Sequence, residues 1–420
     1  MPAWLHVNAG YWPLVGGAET YVQALSERFA RAGEAVIVAT SNAECLEALW
    51  DPRGATVAPG VQTHNGVTVV RSRVAHLPPT PYAFHALRRL AGMWDGREFG
   101  VPLLNRIGHF MPWLPGFGRF LEEHGSGARL VHAVNVSLEG PLIQAYRFAR
   151  RRKLPLVITP FVHVGNHRFV ERYYTLPHHL RMLRDSEAVI VQTALEAEAL
   201  ARRGVAPERL HQIGMGVDLA ALQGGRAERF RERHGLTGPI VTFIGAVTYD
   251  KGAIHLTQAM ARLWEKGHPA RLALAGRSIA AGGYDRFFAR LPARWQARVL
   301  RLGQVTGEAK QDLLAATDVL AMPSRVDAFG IAFLEAWAYS APVIGARAGG
   351  IPGVIEHDVD GLLVPFGEVE QLAASIESLL ADPVWARAMG ARGRAKVEAR
   401  YTWDKVYQAV RAIYLSLAAS

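Results

Sequence analysis

The chain has 420 residues, half of them hydrophobic and a fifth charged, with a formal net charge of +10 and a single cysteine. That composition excludes a disordered or disulfide-stapled chain, and the length exceeds one ordinary core, so two domains of roughly 200 residues are expected. No run of roughly eighteen apolar residues occurs, which excludes an ordinary membrane-spanning helix.

Residues 1–7 lack the basic-then-apolar pattern of a signal peptide and read as a first strand. With Cys45 alone, they point to a reducing, cytoplasmic setting. The excess positive charge comes almost entirely from arginine. It suits an anionic membrane surface or phosphorylated substrates, although a GC-rich coding preference produces the same bias. No basic run is interleaved with RNA-stacking aromatics in a known module, so no nucleic-acid partner is expected.

Short apolar runs alternate with helical patterns from end to end, the pattern of parallel α/β sheets. Strands are expected over 5–7, 35–39, 67–70, 130–134, 156–161 and 188–192. They recur over 240–246, 272–275, 299–302, 319–322, 343–345 and 361–364. Residues 219–238 are charged and glycine-containing and read as a linker with a short helix. The fold class is therefore α/β, with two doubly wound Rossmann-like domains facing a central cleft. The expected divisions are 1–217, 218–400 and a C-terminal helix over 401–420.

Gly16 and Gly17 follow the first strand and open a helix with apolar Val22, Leu25 and Phe29. Paired glycines at such a junction let backbone approach a ligand and expose helix amides, or they make only a tight turn. Residues 76–127 mix aromatics, Trp94, Phe99, Trp113 and Phe117 among them, with Arg88, Arg89, Arg97 and Arg106. They read as helices packed on the first domain, or as a basic-aromatic surface for a membrane or a lipid-linked acceptor. His163 ends the strand that begins near Leu156, at a sheet edge where α/β proteins bind ligands. A lone histidine there is otherwise structural. Thr193 and Glu196 have the spacing of a capping box.

In the second half, Phe243, Gly245 and Ala246 lead to Lys251 and Gly252 ahead of a helix. Lys251 suits a point charge on a diphosphate leaving group, or is a solvated helix start. Further on, a strand ends at Pro323 and Ser324, and a helix opens at about Phe329. Nearly every residue of that helix is apolar or small, so it is buried, yet Glu335 sits in its middle. A lone buried carboxylate is costly unless donors meet it, and its two oxygens fit the two hydroxyls of a ribose. Asp327, eight residues earlier, stands where free amides favour phosphate. Together they suggest a nucleotide-sugar site; the alternative is a buried helix whose Glu335 pairs with an arginine of the core. Asp358 and Asp360 form a D-x-D triplet ahead of Gly361 and read as a turn. No cluster has metal-ligand spacing, so neither a metal nor a cofactor is expected.

Asp327 and Glu335 resemble the acidic E-x7-E motif of the retaining glycosyltransferases of family 4, the group 1 glycosyltransferases, with Asp in place of the first Glu. The segment 341–355, containing Gly349, Gly350, Ile351 and Pro352, resembles that family's next strand and Gly-Gly-Ile-Pro loop, with Gly353 where Glu is usual. Gly16 and Gly17 resemble its Gly-Gly loop over the donor phosphates. Gly216, Val217 and Asp218 resemble its strand-to-hinge signature, with Met215 in place of Asn. Ala246 stands where the family usually has an arginine; Arg277 and Arg325 are candidate substitutes.

The resemblance implies a GT-B enzyme that moves a sugar, with retention, from a nucleoside diphosphate sugar to a glycan, lipid-linked or small-molecule acceptor. Retention is then explained by same-face attack, with the leaving diphosphate accepting the acceptor's proton. Lys251 and the amides of Phe329, Gly330 and Ile331 would hold the diphosphate beside Gly245. Asp327 would orient sugar hydroxyls, Glu335 the ribose and His163 the donor sugar, and the terminal helix would cross back onto the first domain. Two rivals stand beside this reading: a nucleotide-sugar epimerase of the same architecture, and a nucleotide-binding protein with a decayed site.

Overall fold

The computed structural model describes residues 3–94, 100–164, 168–278 and 283–419. The chain divides into two units, Met1–Gly214 with Trp403–Ser420, and Met215–Thr402.

In the first unit, β1 (Ala3–Val7), β2 (Val36–Ser41), β3 (Gly60–His64), β4 (Val67–Ser72), β5 (Ala128–Val134), β6 (Leu156–Thr159), β7 (Ala188–Val191) and β8 (Leu210–Gln212) form one sheet in the order β3-β4-β2-β1-β5-β6-β7-β8. Neighbours are parallel except β3, which runs antiparallel to β4 at the edge. Every residue of β1, β6 and β7 is buried. Successive side chains point to opposite faces, so both faces of the sheet are covered, as parallel sheets require.

In the second unit, β9 (Ile240–Ile244), β10 (Arg271–Ala275), β11 (Val299–Gly303), β12 (Val319–Met322), β13 (Val343–Ala346) and β14 (Leu362–Val364) form a parallel sheet in the order β11-β10-β9-β12-β13-β14. In both sheets the winding starts in the middle, runs outward to one side, then returns to the other. The order reverses between β1 and β5, and between β9 and β12. There the loops leaving adjacent carboxyl ends diverge, and α/β sheets bind ligands.

Each expected strand is present, and the doubly wound α/β reading holds for both units. The sequence reading misses the three-residue β8 and, more tellingly, β3. Its residues, Gly-Val-Gln-Thr-His, carry one aliphatic side chain, and Val61 is exposed. An edge strand pinned by backbone pairing alone has no apolar alternation to betray it.

Residues 76–127 contain the helices Tyr82–Gly92, Val101–Gly108 and Phe117–His124. Arg97 and Phe99 lie outside the described residues. Phe117 is fully buried, and Phe84, Leu104, Ile107 and Met111 form a small core with Tyr173 and Leu176. Arg88 lies 4.4 Å from the centre of the Tyr173 ring. These groups pack on the unit and do not build an aromatic surface. The first helix leaves Tyr82, His85, Ala86, Arg89 and Leu90 exposed, and Met93 follows.

The helix Trp403–Ala418 packs on helix Gly17–Arg31 and on β5. Its Tyr414, fully buried, stacks on Phe29 at 5.1 Å and joins a chain of polar groups across the sheet. Ser26 Oγ lies 2.7 Å from His6 Nδ1, His6 Nε2 lies 3.0 Å from the Tyr414 hydroxyl, the same hydroxyl meets His132 Nδ1, and His132 Nε2 lies 2.7 Å from Thr159 Oγ1. A buried imidazole with both nitrogens satisfied is tolerated while neutral.

Burial pushes His6 down to about 3, and burial and then its neighbour His6 push His132 well below its usual range. Both are neutral in the fold but take up protons when unfolded below about pH 6.5. Their stabilising contribution is therefore complete above that pH and is lost on acidification. Unfolding free energy should fall between pH 7 and pH 5. Tyr414→Phe, which strips a partner from each histidine, should cost roughly 1–3 kcal/mol at pH 7. Urea unfolding at the two pH values measures both, and equal stability of variant and wild type would remove the network's role.

Candidate active site

In the second unit the exits of β9, β12 and β13 are held together by their backbones. Gly252, with φ +82°, closes the loop after β9, and a Cβ there would lie 2.3 Å from the carbonyl oxygen of Pro323 at the end of β12. Arg325 N donates to Asp250 O at 3.0 Å, tying the same two loops. After β13, Gly350 N donates to Asp327 O at 2.7 Å, and a Cβ on Gly350 would lie 1.8 Å from Ala328 O. Gly245, at φ +158°, turns the chain out of β9 beside Gly276, whose own Cβ would lie 1.8 Å from Gly245 O. Only glycine permits these approaches.

This contact brings Lys251 and Asp327 together as an ion pair, with side chains 25% and 13% exposed. Phe329 is buried edge-on against Tyr401 at 5.3 Å. Gly330, at φ +93°, precedes the helix Ile331–Ala338, which starts two residues later than the sequence pattern suggests. The left-handed turn at Gly330 delays it; no side chain caps it, so its first amides remain available to a ligand.

Glu335 is not the lone carboxylate that the sequence implies. Lys310, from the helix Gly307–Ala315, donates to Glu335 Oε1 at 2.6 Å, and the carboxylate side chain is 14% exposed. The cation is thus a lysine, where the alternative reading expects an arginine. It stands 25 positions away in sequence, and no local pattern announces it.

Of the candidate substitutes for a cation at position 246, Arg325 pairs with Asp250 at 2.6 Å and lies 5.4 and 5.0 Å from the ring centres of Tyr249 and Phe366. Arg277 is exposed, and its carbonyl accepts from Val247 N at 2.9 Å. The carboxylates of the D-x-D triplet are separated in role. Asp358 is 68% exposed, whereas Asp360 is buried against Lys396 and accepts from Glu356 N at 2.9 Å.

In the first unit, Gly16 and Gly17 open the helix Gly17–Arg31 at the exit of β1. The buried carboxylate of Glu19 turns back under this loop and accepts from Asn8 Nδ2 at 3.4 Å. A Cβ on Gly16 would lie 2.3 Å from Glu19 Oε2. Burial raises the Glu19 pKa, against hydrogen bonds from its own backbone and Asn8. The sequence shows Glu19 beside the two glycines but not that it fills their turn.

His163 follows β6 with its ring stacked on Tyr174 at 4.6 Å. Its loop is strapped down by Glu196, which accepts from Val162 N and Gln192 N, each at 2.6 Å. Thr193 caps the helix by accepting from Glu196 N at 3.2 Å. Glu196 reaches two amides preceding the helix instead of closing the capping box on Thr193 N. Burial, opposed by those two amides, pushes its carboxyl up to about 7. The first unit also gathers Glu139, His178 and His179, whose ligand atoms lie within 4.8 Å of one another. The sequence reading, which looks for local spacing, finds no such cluster.

Residues 226–396 match the family model described as glycosyl transferases group 1, and residues 16–216 match that of the glycosyl transferase 4-like domain. A D-inositol 3-phosphate glycosyltransferase of Segniliparus rotundus is 28% identical over 95% of this chain and 84% of its own. The fold is shared with the sucrose-phosphate synthase of Thermosynechococcus elongatus, at TM-score 0.74 and 23% identity over the whole of both chains. It is also shared with Anabaena HepE solved with UDP and glucose, at TM-score 0.74 and 18% identity over 98% of this chain and 99% of that one.

Gly350→Ala tests the loop contact on which the Lys251–Asp327 pair rests. The methyl group cannot fit against Ala328 O, so the loops should part at a cost of roughly 1–3 kcal/mol. Thermal unfolding of the variant should show that loss, and an unchanged melting temperature would mean that the loops do not need this contact.

Proposed function

We propose that this chain, which belongs to the group 1 glycosyl transferases, moves a sugar with retention from a nucleoside diphosphate sugar to a hydroxyl acceptor. The observation that carries this reading is the convergence, at the order reversal of the second sheet, of Lys251, Asp327, an uncapped helix N-terminus and Glu335. Amides and an ammonium suit a diphosphate, and a carboxylate suits paired hydroxyls. The Anabaena neighbour was solved with UDP and glucose, which supports a nucleotide-sugar donor.

In the proposed reaction the bond from the anomeric carbon to the diphosphate breaks, and negative charge grows on the leaving oxygen. Lys251 and the amides of Gly330 and Ile331 stabilise that charge. Asp327, already engaged by Lys251, orients the ammonium and sugar hydroxyls and is a poor candidate for a free nucleophile. The leaving diphosphate takes the acceptor's proton as the acceptor oxygen bonds to the same face. Gly245 and Phe329 shape the donor loops of the second unit, while Gly16, Gly17 and His163 stand at strand exits of the first. The family match favours transfer over epimerisation, and the presence of Lys251, Asp327 and Glu335 argues against a decayed site.

A screen of UDP-, GDP- and ADP-sugars by thermal shift and slow donor hydrolysis identifies the donor. With it, Lys251→Ala should lower turnover more than donor affinity, because its charge matters most in the transition state. Glu335→Ala should weaken binding of the nucleoside diphosphate by roughly 1–3 kcal/mol, measured calorimetrically. Lys310→Ala is the control. If it weakens binding as much as Glu335→Ala, and both mainly lower stability, the carboxylate braces the helix and does not hold ribose.

The acceptor side supports a second proposal, that the first unit works at an anionic membrane surface. No described helix is long and apolar enough to cross a membrane. On the helix Tyr82–Gly92, however, Tyr82 and Leu90 are exposed at 71% and 53% beside Arg89, and Met93 follows at 70%. Apolar side chains flanking a guanidinium suit an interfacial position. Binding to anionic vesicles should be strong at low salt, fall steeply as salt rises, and weaken in Arg89→Glu. Failure to bind such vesicles at low salt points instead to a soluble acceptor.

A further inference from the structure

A second set of ligand-type groups lies in the first unit, beyond the exit of β5. Glu139 opens the helix Glu139–Arg152, which follows β5, and His178 and His179 lie in the first turn of the helix Pro177–Asp185. All three side chains are fully buried. His178 Nε2 stands 2.7 Å from Glu139 Oε2, and His179 Nε2 stands 3.4 Å from Glu139 Oε1.

The first contact is a hydrogen bond and the second is not. Among the described residues, neither ring nitrogen of His179 has a hydrogen-bond partner, nor does Nδ1 of His178. Buried polar atoms are normally satisfied, and His179 Nε2, facing the Glu139 carboxylate at 3.4 Å without bonding to it, leaves a gap that an occupant would fill. Around a tetrahedral ion with bonds of about 2.0–2.1 Å, neighbouring donor atoms stand about 3.3–3.4 Å apart. The His179–Glu139 separation has that length. A cation between them would also replace the proton now bridging His178 and Glu139.

We propose that Glu139, His178 and His179 form a divalent-metal site of the zinc type. Two imidazoles and a carboxylate favour zinc over magnesium or calcium, which take oxygen ligands. Tyr173, whose hydroxyl donates to Glu139 Oε1 at 3.2 Å, supplies the outer support that ligating carboxylates usually have.

The ion ties the helix after β5 to the segment that follows β6. Tyr174, next to Tyr173, carries the ring on which His163 stacks, so the site braces the support of that histidine. His178 also lines a pocket of about 350 Å³ with Asn105, Arg106, Tyr146, Arg147 and Arg181. Guanidinium groups at that mouth repel a cation, so the metal enters as the chain folds and exchanges slowly afterwards.

The test uses the full chain without an affinity tag, unfolded and then refolded with zinc sulfate, magnesium sulfate or EDTA. After desalting, metal content is read by mass spectrometry and stability by thermal unfolding. The wild type should retain about one zinc per chain and melt higher than the EDTA-refolded protein. Magnesium should do neither. The double variant His178→Ala/His179→Ala, and His179→Gln with its fold checked by circular dichroism, should lose the zinc and the shift. A wild type that retains no zinc overturns the proposal, whatever the variants do. So does a folded variant that retains as much zinc as the wild type, or equal retention of magnesium.

Discussion

The second unit depends on backbone touching backbone at the exits of three parallel strands. A parallel sheet places its loops at one edge but does not fix how far apart they stand. Here the distance is set by Gly252 against Pro323 and by Gly350 against Ala328. Any side chain at either glycine would wedge the loops apart, and Lys251 and Asp327 would no longer meet. The ion pair is thus a consequence of loop packing, and a partly exposed pair of this kind adds little stability of its own. Its value lies in where it holds an ammonium.

The first unit solves the same positioning problem with buried carboxylates. Glu19 fills the turn that Gly16 leaves open, and Glu196 ties the exits of β6 and β7 through two amides. Both groups are held above their ordinary pKa by burial. Such groups cost more than an apolar filler of similar volume, since desolvation works against the ionised form. What they provide is direction: a carboxylate accepting from two particular amides admits one loop conformation, whereas apolar contacts admit several.

The sequence carries the sheet well because parallel strands covered on both faces are continuous apolar runs, and those runs fall where the strands form. It carries Lys251, Asp327 and Glu335 as well, because each stands out chemically against its neighbours at a strand exit or in an apolar helix. Partners are another matter. Lys310 lies one helix away from Glu335, and Glu139 is 39 positions from His178. Each pairing joins side chains from two different helices, and no short-range spacing encodes them. The same limit explains residues 76–127, where burial of Phe117 and the packing of Arg88 on Tyr173 are decided by tertiary contact.

Charge bookkeeping at the donor side follows from those pairings. Lys251 is matched by Asp327, Arg325 by Asp250 and Lys310 by Glu335. No net surplus of cation is stored among these six groups, although the chain as a whole carries +10. In the proposed reaction, a diphosphate therefore has to compete with Asp327 for Lys251, and the helix amides after Gly330 become the uncontested source of positive potential. The arginine missing at Ala246 makes that contribution larger, because Arg325 is held by a carboxylate and two rings. An ammonium kept in place by its carboxylate needs little reorganisation when charge develops on the leaving oxygen, which is the condition under which a single cation is most effective.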